Sequence, residues 1–458
     1  MCISPLFAQN YGTGAILDPD RYEQTDAKPA LVYRNYASLP AAVSLKQYSP
    51  VPENQGEYGT CTGWATAFAA RTISESIALN RTNQELISND VFSPLFVYKS
   101  HYMIHGINPT GHEGAYIPYI LDFIKNEGTV KRQGFERTTD FPLVSISDYA
   151  GSRRYPIADY VRLFSNPRGT PGKTSERILP VKKSLSEGKP VIIGMNTPPS
   201  FFRRGVDVWR PVENPGTIYG GHAMCVIGYD DNQYGGAFEI QNSWGTEWGN
   251  KGYIWMRYID FAAFVLEAYE IIENLAMYNE AVYAASIAIE IYNNPEGMPV
   301  TFDEKGYYKT QSSFPSGTEF RFLMTNRYPA YVYAFAADTG NSEPERIFPL
   351  QGVSPVLDYS ESTVAWPGEN DWIRLDDAEG TDYLAVLFSK EALNIEEIEK
   401  NYNGGNGDFA ERVALAVGEN FISYEAVKYN PDIMEFYAES QNPKAVFGLL
   451  LAISHHPR

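Results

Sequence analysis

One cysteine, Cys61, opens the first helical stretch of this 458-residue chain, and the histidine and asparagine able to work with it, His222 and Asn242, follow 161 and 181 residues later among strand-like runs. If these side chains act together, the fold must press a helix N-terminus against a sheet. From Cys61 to about Leu79 the apolar positions Trp64, Phe68, Ile73 and Ile77 recur near helical spacing, with Thr60 as the expected cap. Further helices are expected over 115–126 and 176–187, the second ended by Glu187-Gly188-Lys189-Pro190. The runs 191–196, 222–229, 237–242 and 252–257 are β-rich and separated by Gly, Asp and Asn, as in an antiparallel sheet or barrel. Helices first and strands second predict an α+β domain.

A thiol is a weak nucleophile until it ionises, and ionisation is favoured at a helix N-terminus and beside an imidazolium. Cys61 has the first by pattern, and His222 is the candidate for the second. In such a pair the thiolate attacks a carbonyl, the histidine protonates the leaving amine, and water hydrolyses the acyl-enzyme. A third group must hold the imidazole, which the Asn242 amide can do. The oxyanion also needs donors. Gln55, six residues before Cys61 and followed by Gly56, can supply one beside the Cys61 backbone N–H.

These residues stand in Gln55-Gly56, Gly59-Thr60-Cys61, Gly221-His222-Ala223 and Asn242-Ser243-Trp244-Gly245, an order that resembles the papain-like cysteine peptidases over about 39–272. The continuation Thr246-Glu247-Trp248-Gly249-Asn250-Lys251-Gly252-Tyr253 and the opening Leu39-Pro40-Ala41-Ala42-Val43 resemble the family too. The resemblance implies a two-lobed α+β domain, a helical lobe plus an antiparallel β-barrel lobe, that cuts peptide bonds with Cys61, His222, Asn242 and Gln55 as catalytic residues. It also implies that Trp244 shields the His–Asn hydrogen bond from water. The stretch Gly111-His112-Glu113-Gly114-Ala115 resembles the cleft-lining segment of the family, so Gly114, His112 and Trp244 are the expected substrate contacts. Tyr58 stands where many members have a disulfide-forming cysteine, and Thr62 where an aromatic often lies, which looks like the bacterial branch. The gap from Cys61 to His222 exceeds the roughly 130–150 residues usual in the family, so insertions are expected within 128–175 and 199–219. The second carries Phe201-Phe202-Arg203-Arg204 and is expected either as a specificity loop over the cleft or as plain packing.

A chain this long exceeds what one hydrophobic core normally supports, and its character changes near residue 275. Strand-like runs such as 286–291, 319–324, 330–335 and 383–388, with 33 Tyr, 24 Phe and 30 Pro in the whole chain, predict a β-sandwich-like accessory domain over 273–458 that binds a surface, glycan or protein or acts as scaffold. The tail 407–458 is expected to return and cover this domain. Residues 9–38 read as an extended arm packed on the next domain, too short for the usual inhibitory propeptide; lying in the cleft is one role for it. Ile3-Ser4-Pro5-Leu6-Phe7-Ala8-Gln9 resembles the end of a secretory signal, so 1–8 are a possible remnant and the expected location is extracytoplasmic. A net charge of −19 without any Lys/Arg run argues against nucleic acid. No segment reaches the roughly 18 apolar residues of a membrane span. Three cysteines cannot form a disulfide framework, and Cys225 reads as a small buried hydrophobe. His101, His105 and His112 lack a further ligand, so neither a metal nor a cofactor is expected. The function expected is an endopeptidase acting on peptide or protein substrates. Rival readings are an exopeptidase or transpeptidase of the same family, and a surface-binding module with an inactive papain-like half.

Overall fold

The computed structural model of the chain describes residues 11–29, 39–135, 145–153, 155–166, 173–273, 281–294, 296–338, 343–358, 362–368, 371–377, 379–403 and 407–457. They form two compact units, one of 11–27 with 39–273, the other of 281–457 with Lys28 and Pro29. The signal-like 1–8 segment and residues 30–38 of the arm lie outside the described residues.

In the first unit the helix opened by Cys61 is one run, α-helical over Cys61–Gly63, π-helical over Trp64–Arg71 and α-helical again over Thr72–Ala78. Ala65, Ala67, Ala69 and Ala70 keep it slim, and it is buried on all sides rather than along one stripe. Thr60 precedes the run but does not cap it. With φ −97° and ψ 10° it lacks the extended backbone of an N-cap, and its hydroxyl is buried without a partner. Around the run pack Pro94–Met103, started by Ser93 whose hydroxyl accepts the Phe96 N–H at 2.9 Å, and Ile117–Glu127, stopped at Gly128 with φ 79°.

Among the described residues the sheet of this unit has eight strands: β1 (Ala42–Ser44), β2 (Asp159–Arg162), β3 (Val191–Asn196), β4 (Val208–Trp209), β5 (Gly221–Asp230), β6 (Ala237–Gln241), β7 (Tyr253–Arg257) and β8 (Val265–Ile272). Their order is β2-β8-β3-β5-β6-β7-β4, with β1 on β5. As expected of these runs the sheet is antiparallel, except for one parallel pair where the two-residue β4 of the 199–219 segment lies on the β7 edge, and among the described residues its hydrogen-bonded path is open rather than closed into a barrel. The central strand β5 packs against Cys61–Gly63, which sets His222 beside the helix start. A short helix of the arm, Pro19–Gln24, is capped by Asp18 and anchored by Tyr22, which is fully buried and donates its hydroxyl to the Phe164 carbonyl at 2.7 Å.

Among the described residues of the second unit, a sheet of eight strands and one of six share an apolar core. Val282–Ile291 pairs antiparallel with Glu319–Asn326, whose alternating burial marks a strand with one face inward. The tail does not simply cover this unit. Phe447–His456 is a central strand, antiparallel to Gly380–Ser389 and parallel to Tyr308–Thr310, because its run Leu449-Leu450-Leu451-Ala452-Ile453 is apolar on both faces.

Arg71, fully buried in the π-helical stretch, sets Nη1 3.1 Å from a Glu273 carboxylate oxygen. Burial raises the Glu273 carboxyl above its ordinary range, and Arg71 opposes that rise. Arg71→Ala is expected to lower stability by about 3–5 kcal/mol in denaturant unfolding. A lone Glu273 is tolerated only while protonated, so the deficit grows as pH rises from 5 to 8. A deficit that is the same at both pH values would show that the ion pair is not its source.

Candidate functional site

The structure brings Gln55, Cys61, His222, Asn242 and Trp244 to one cleft between the helix start and β5. Cys61 is fully buried, and the backbone N–H of Ala223, next to His222, points at its sulfur. His222 Nε2 lies 2.8 Å from Asn242 Oδ1, which also accepts the Ser243 N–H at 2.7 Å. Since Asn242 Oδ1 can only accept, Nε2 carries the proton of the neutral ring. Nδ1 is buried and has no hydrogen-bond partner. Trp244 stacks on His222 with centroids 4.6 Å apart and 20° between planes, sealing the His–Asn bond. Gln55 is held by its backbone N–H to the Ser243 carbonyl (2.8 Å), by the Ser243 hydroxyl on Oε1, and by Nε2 donating to the Tyr58 carbonyl at 2.7 Å. One hydrogen of that amide remains for a further acceptor.

The cleft is occupied by the chain itself. Residues 11–18 cross it in extended form, and their backbone groups pair with those of its walls. Gly12 N–H donates to Gly56 O (2.9 Å), Gly14 and Ala15 N–H share Gly221 O (3.2 and 3.1 Å), Ala115 N–H donates to Gly14 O (2.8 Å), and Ile16 N–H to Ala115 O (2.9 Å). Trp244 Nε1–H donates to Gly12 O at 2.9 Å. The fit excludes side chains at two arm positions: a Cβ on Gly12 would lie 2.1 Å from Tyr58 O, and one on Gly14 would lie 2.2 Å from Gly59 O. Beyond them Leu17 reaches towards Gly194 and Ile117, and the Asp18 N–H donates to Glu267 Oε1 at 3.1 Å.

This cover decides the charge state of the site. Burial pushes the Cys61 thiol up to about 11, although the N–H groups of Ala223, Gly14, Ala15 and Thr62 pull the other way. Burial likewise lowers His222 to about 4, against the bond to Asn242. Under the arm the pair is therefore neutral at pH 7. Glu267, buried below the arm, is raised to about 7 by the same desolvation, with Tyr269 and the Asp18 N–H opposing.

Other expected residues are placed differently. His112 is exposed and faces Tyr58 at 5.5 Å, and the wall that pairs with the arm is Ala115, with Gly114 under Ile16. His101 and His105 sit edge to face at 5.4 Å, and among the described residues no group of three or more His, Cys, Asp or Glu is arranged to hold a metal. Phe201 of the 199–219 segment is buried against Trp209, Trp244 and Trp248, while Phe202 stacks on Trp244. Tyr11, Gly12, Gly14 and Glu267 did not stand out in the sequence, whereas Ala115 closes the Gly111–Ala115 stretch expected to line the cleft. The Gly-Thr-Gly of the arm was the available signal, legible only once the backbone it threads is known. Among the described residues no helix is long and apolar enough to cross a membrane.

A family model described as papain family cysteine protease matches residues 42–271. An uncharacterised peptidase C1-like protein of Acanthamoeba polyphaga mimivirus is 26% identical over 230 residues, which cover 49% of this chain and 68% of that protein. Cathepsin K of Gallus gallus is 27% identical over 220 residues, 47% of this chain and 58% of that one. Xylellain, a cysteine protease from Xylella fastidiosa, is a structural match with 24% identity and a TM-score of 0.46, covering 60% of this chain and 99% of that chain.

Gly14→Val cannot keep the arm seated. Alkylation of Cys61 by iodoacetamide, followed by mass spectrometry, is expected to accelerate about tenfold or more at pH 7, a shift of about 1.4 kcal/mol. The wild-type rate should climb towards pH 11, and the variant's climb should move to lower pH as water reaches the sulfur. Superimposable pH profiles would show that the arm does not govern the thiol.

Proposed function

The chain belongs to the papain family of cysteine proteases and is a cysteine-type peptidase, and from that premise we propose that it cuts within peptide and protein chains through Cys61, His222, Asn242 and Gln55, and is held latent by residues 11–18. The observation that carries this reading is the division of labour between the two His222 nitrogens. Nε2–H is tied to Asn242, Nδ1 is buried without a partner, and the N–H of Ala223, the next residue, points at the Cys61 sulfur. Nδ1 takes the Sγ proton as the sulfur attacks the carbonyl carbon. The oxyanion is received by the Cys61 N–H and the remaining Gln55 amide hydrogen. The imidazolium returns the proton to the leaving amine. Water then attacks the thioester, giving its own proton to His222, and the acid product leaves as the thiol is restored.

The arm supports an endopeptidase over an exopeptidase, since an extended segment fits on both sides of Cys61, from Trp244 to Ala115 and Gly194. Trp244 stacks on the imidazole that protonates the leaving amine, so a substrate runs N to C towards Trp244. Residues 11–18 run the opposite way. Reversed, they offer the sulfur the N–H groups of Gly14 and Ala15 instead of a carbonyl carbon, and so block the cleft without being cut.

Cys61→Ala is expected to abolish peptide hydrolysis with an unchanged circular dichroism spectrum, and Gln55→Ala to lower kcat by about 10²–10³. Peptide cleavage that persists without Cys61 sinks the assignment. Mass spectrometry of the products of the Gly14→Val chain reads the mode of action: internal cuts agree with the proposal, and terminal trimming or joined peptides contradict it.

A further inference from the structure

The wall that pairs with the arm has a fastening of its own. Glu113 turns its carboxylate back on the residues before it. Oε1 and Oε2 accept the Thr110 N–H at 3.1 and 3.0 Å, Oε1 accepts the Thr110 hydroxyl at 3.0 Å, and Oε2 accepts the Gly111 N–H at 2.9 Å. Burial would raise this carboxyl, but the N–H groups of Thr110, Glu113 and Gly111 and the Thr110 hydroxyl outweigh it and hold it at about 2, so the collar is anionic at neutral pH. Tyr98 and Tyr102 lie four residues apart on the helix Pro94–Met103, and so on one face of it. Tyr98 donates its hydroxyl to the Glu113 carbonyl at 2.6 Å, and Tyr102 donates to the Gly114 carbonyl. The same helix packs against Cys61–Gly63, and the Gly59 N–H donates to the Gly111 carbonyl at 2.6 Å. With the two preceding carbonyls taken by tyrosines, Ala115 meets the arm with both of its backbone groups, its N–H at Gly14 O and its C=O at the Ile16 N–H.

We propose that Glu113, Tyr98 and Tyr102 are positioning residues for substrate, which fix Ala115 within reach of the peptide backbone on the acyl side of the cut. The assignment rests on the peptidase reading of Cys61 and His222, because a substrate running N to C towards Trp244 places the residues before the cut along Ala115. An extended peptide must meet the N–H and the C=O of Ala115 together, and a wall displaced by about 1 Å meets neither well. The two phenols and the carboxylate hold that wall from a helix and a turn, and so act through Ala115 rather than on the reacting atoms.

The test uses the full chain carrying Gly14→Val, which unseats the arm, and two substrates: an extended peptide, and p-nitrophenyl acetate, whose acyl group has no peptide unit to pair with Ala115. Phenylalanine in place of either tyrosine keeps the ring and removes only the hydroxyl. Added to that chain, Tyr98→Phe, Tyr102→Phe and Glu113→Ala should each lower the peptide's kcat/KM about tenfold more than the ester's, mainly through KM. Glu113→Gln, which keeps one acceptor oxygen, should fall between Glu113→Ala and the unsubstituted residue. A peptide-to-ester ratio that none of them moves, or a loss shared equally by both substrates as in a general loosening of the fold, overturns the positioning role and leaves the peptidase standing. A second measurement needs no hydrolysis. In the chain that keeps Gly14 the same wall seats the arm, so Tyr102→Phe and Glu113→Ala should speed iodoacetamide labelling of Cys61 at pH 7 about threefold or more. Labelling that neither substitution changes overturns the role. If the Gly14→Val chain cuts no peptide, the peptidase reading sinks, and faster labelling in these variants leaves the fastening of Ala115 standing.

Discussion

A backbone shut away from water must find partners for its N–H and C=O groups, and that requirement organises the first unit's cleft. Gly56, Gly221 and Ala115 present unpaired main-chain groups across the helix start, and the segment 11–18 satisfies them with its own. Close pairing demands a chain with no side chains at the tightest points, which Gly12 and Gly14 supply. Everything else about the site follows from that closeness. Burial pushes the Cys61 thiol up and the His222 imidazole down, which keeps both groups neutral.

Trp244 is the second organising element. It seals the bond between His222 and Asn242, donates to the Gly12 carbonyl, and carries the rings of Tyr11 and Phe202. One side chain therefore links the hydrogen-bonded imidazole, the arm and the 199–219 segment. Loosening any one of them changes the surface that the others rest on, so substitutions at Phe202, Tyr11 and Trp244 are close enough to couple rather than add.

Much of the architecture was legible because it is written locally. The helical spacing from Trp64 to Ile77 and the strand-like runs around 191–196 and 237–242 need no distant partner to be read, and they give the α+β character of the first unit. The four short motifs at Gln55, Cys61, His222 and Asn242 were legible for the same reason. What was not legible depends on residues far away in the chain. Thr60 has the composition of a cap and lacks the dihedral angles for it, which its neighbours' packing decides. The open edge at β4 needs Trp209 placed beside Met256. Phe447–His456 reads as tail until its partners at 380–389 and 308–310 are known. Gly12 and Gly14 look like ordinary loop glycines until the carbonyls of Tyr58 and Gly59 appear about 2 Å from where their side chains would be.

The arm's position in the chain carries one more consequence. Residues 11–18 leave the ribosome before any of the walls they rest on, and the last of those walls, Trp244 and Glu267, emerges more than 220 residues later. When the cleft finally closes around Cys61, the segment that fills it has long been waiting nearby. The cleft is therefore completed with its covering segment already attached to the same chain.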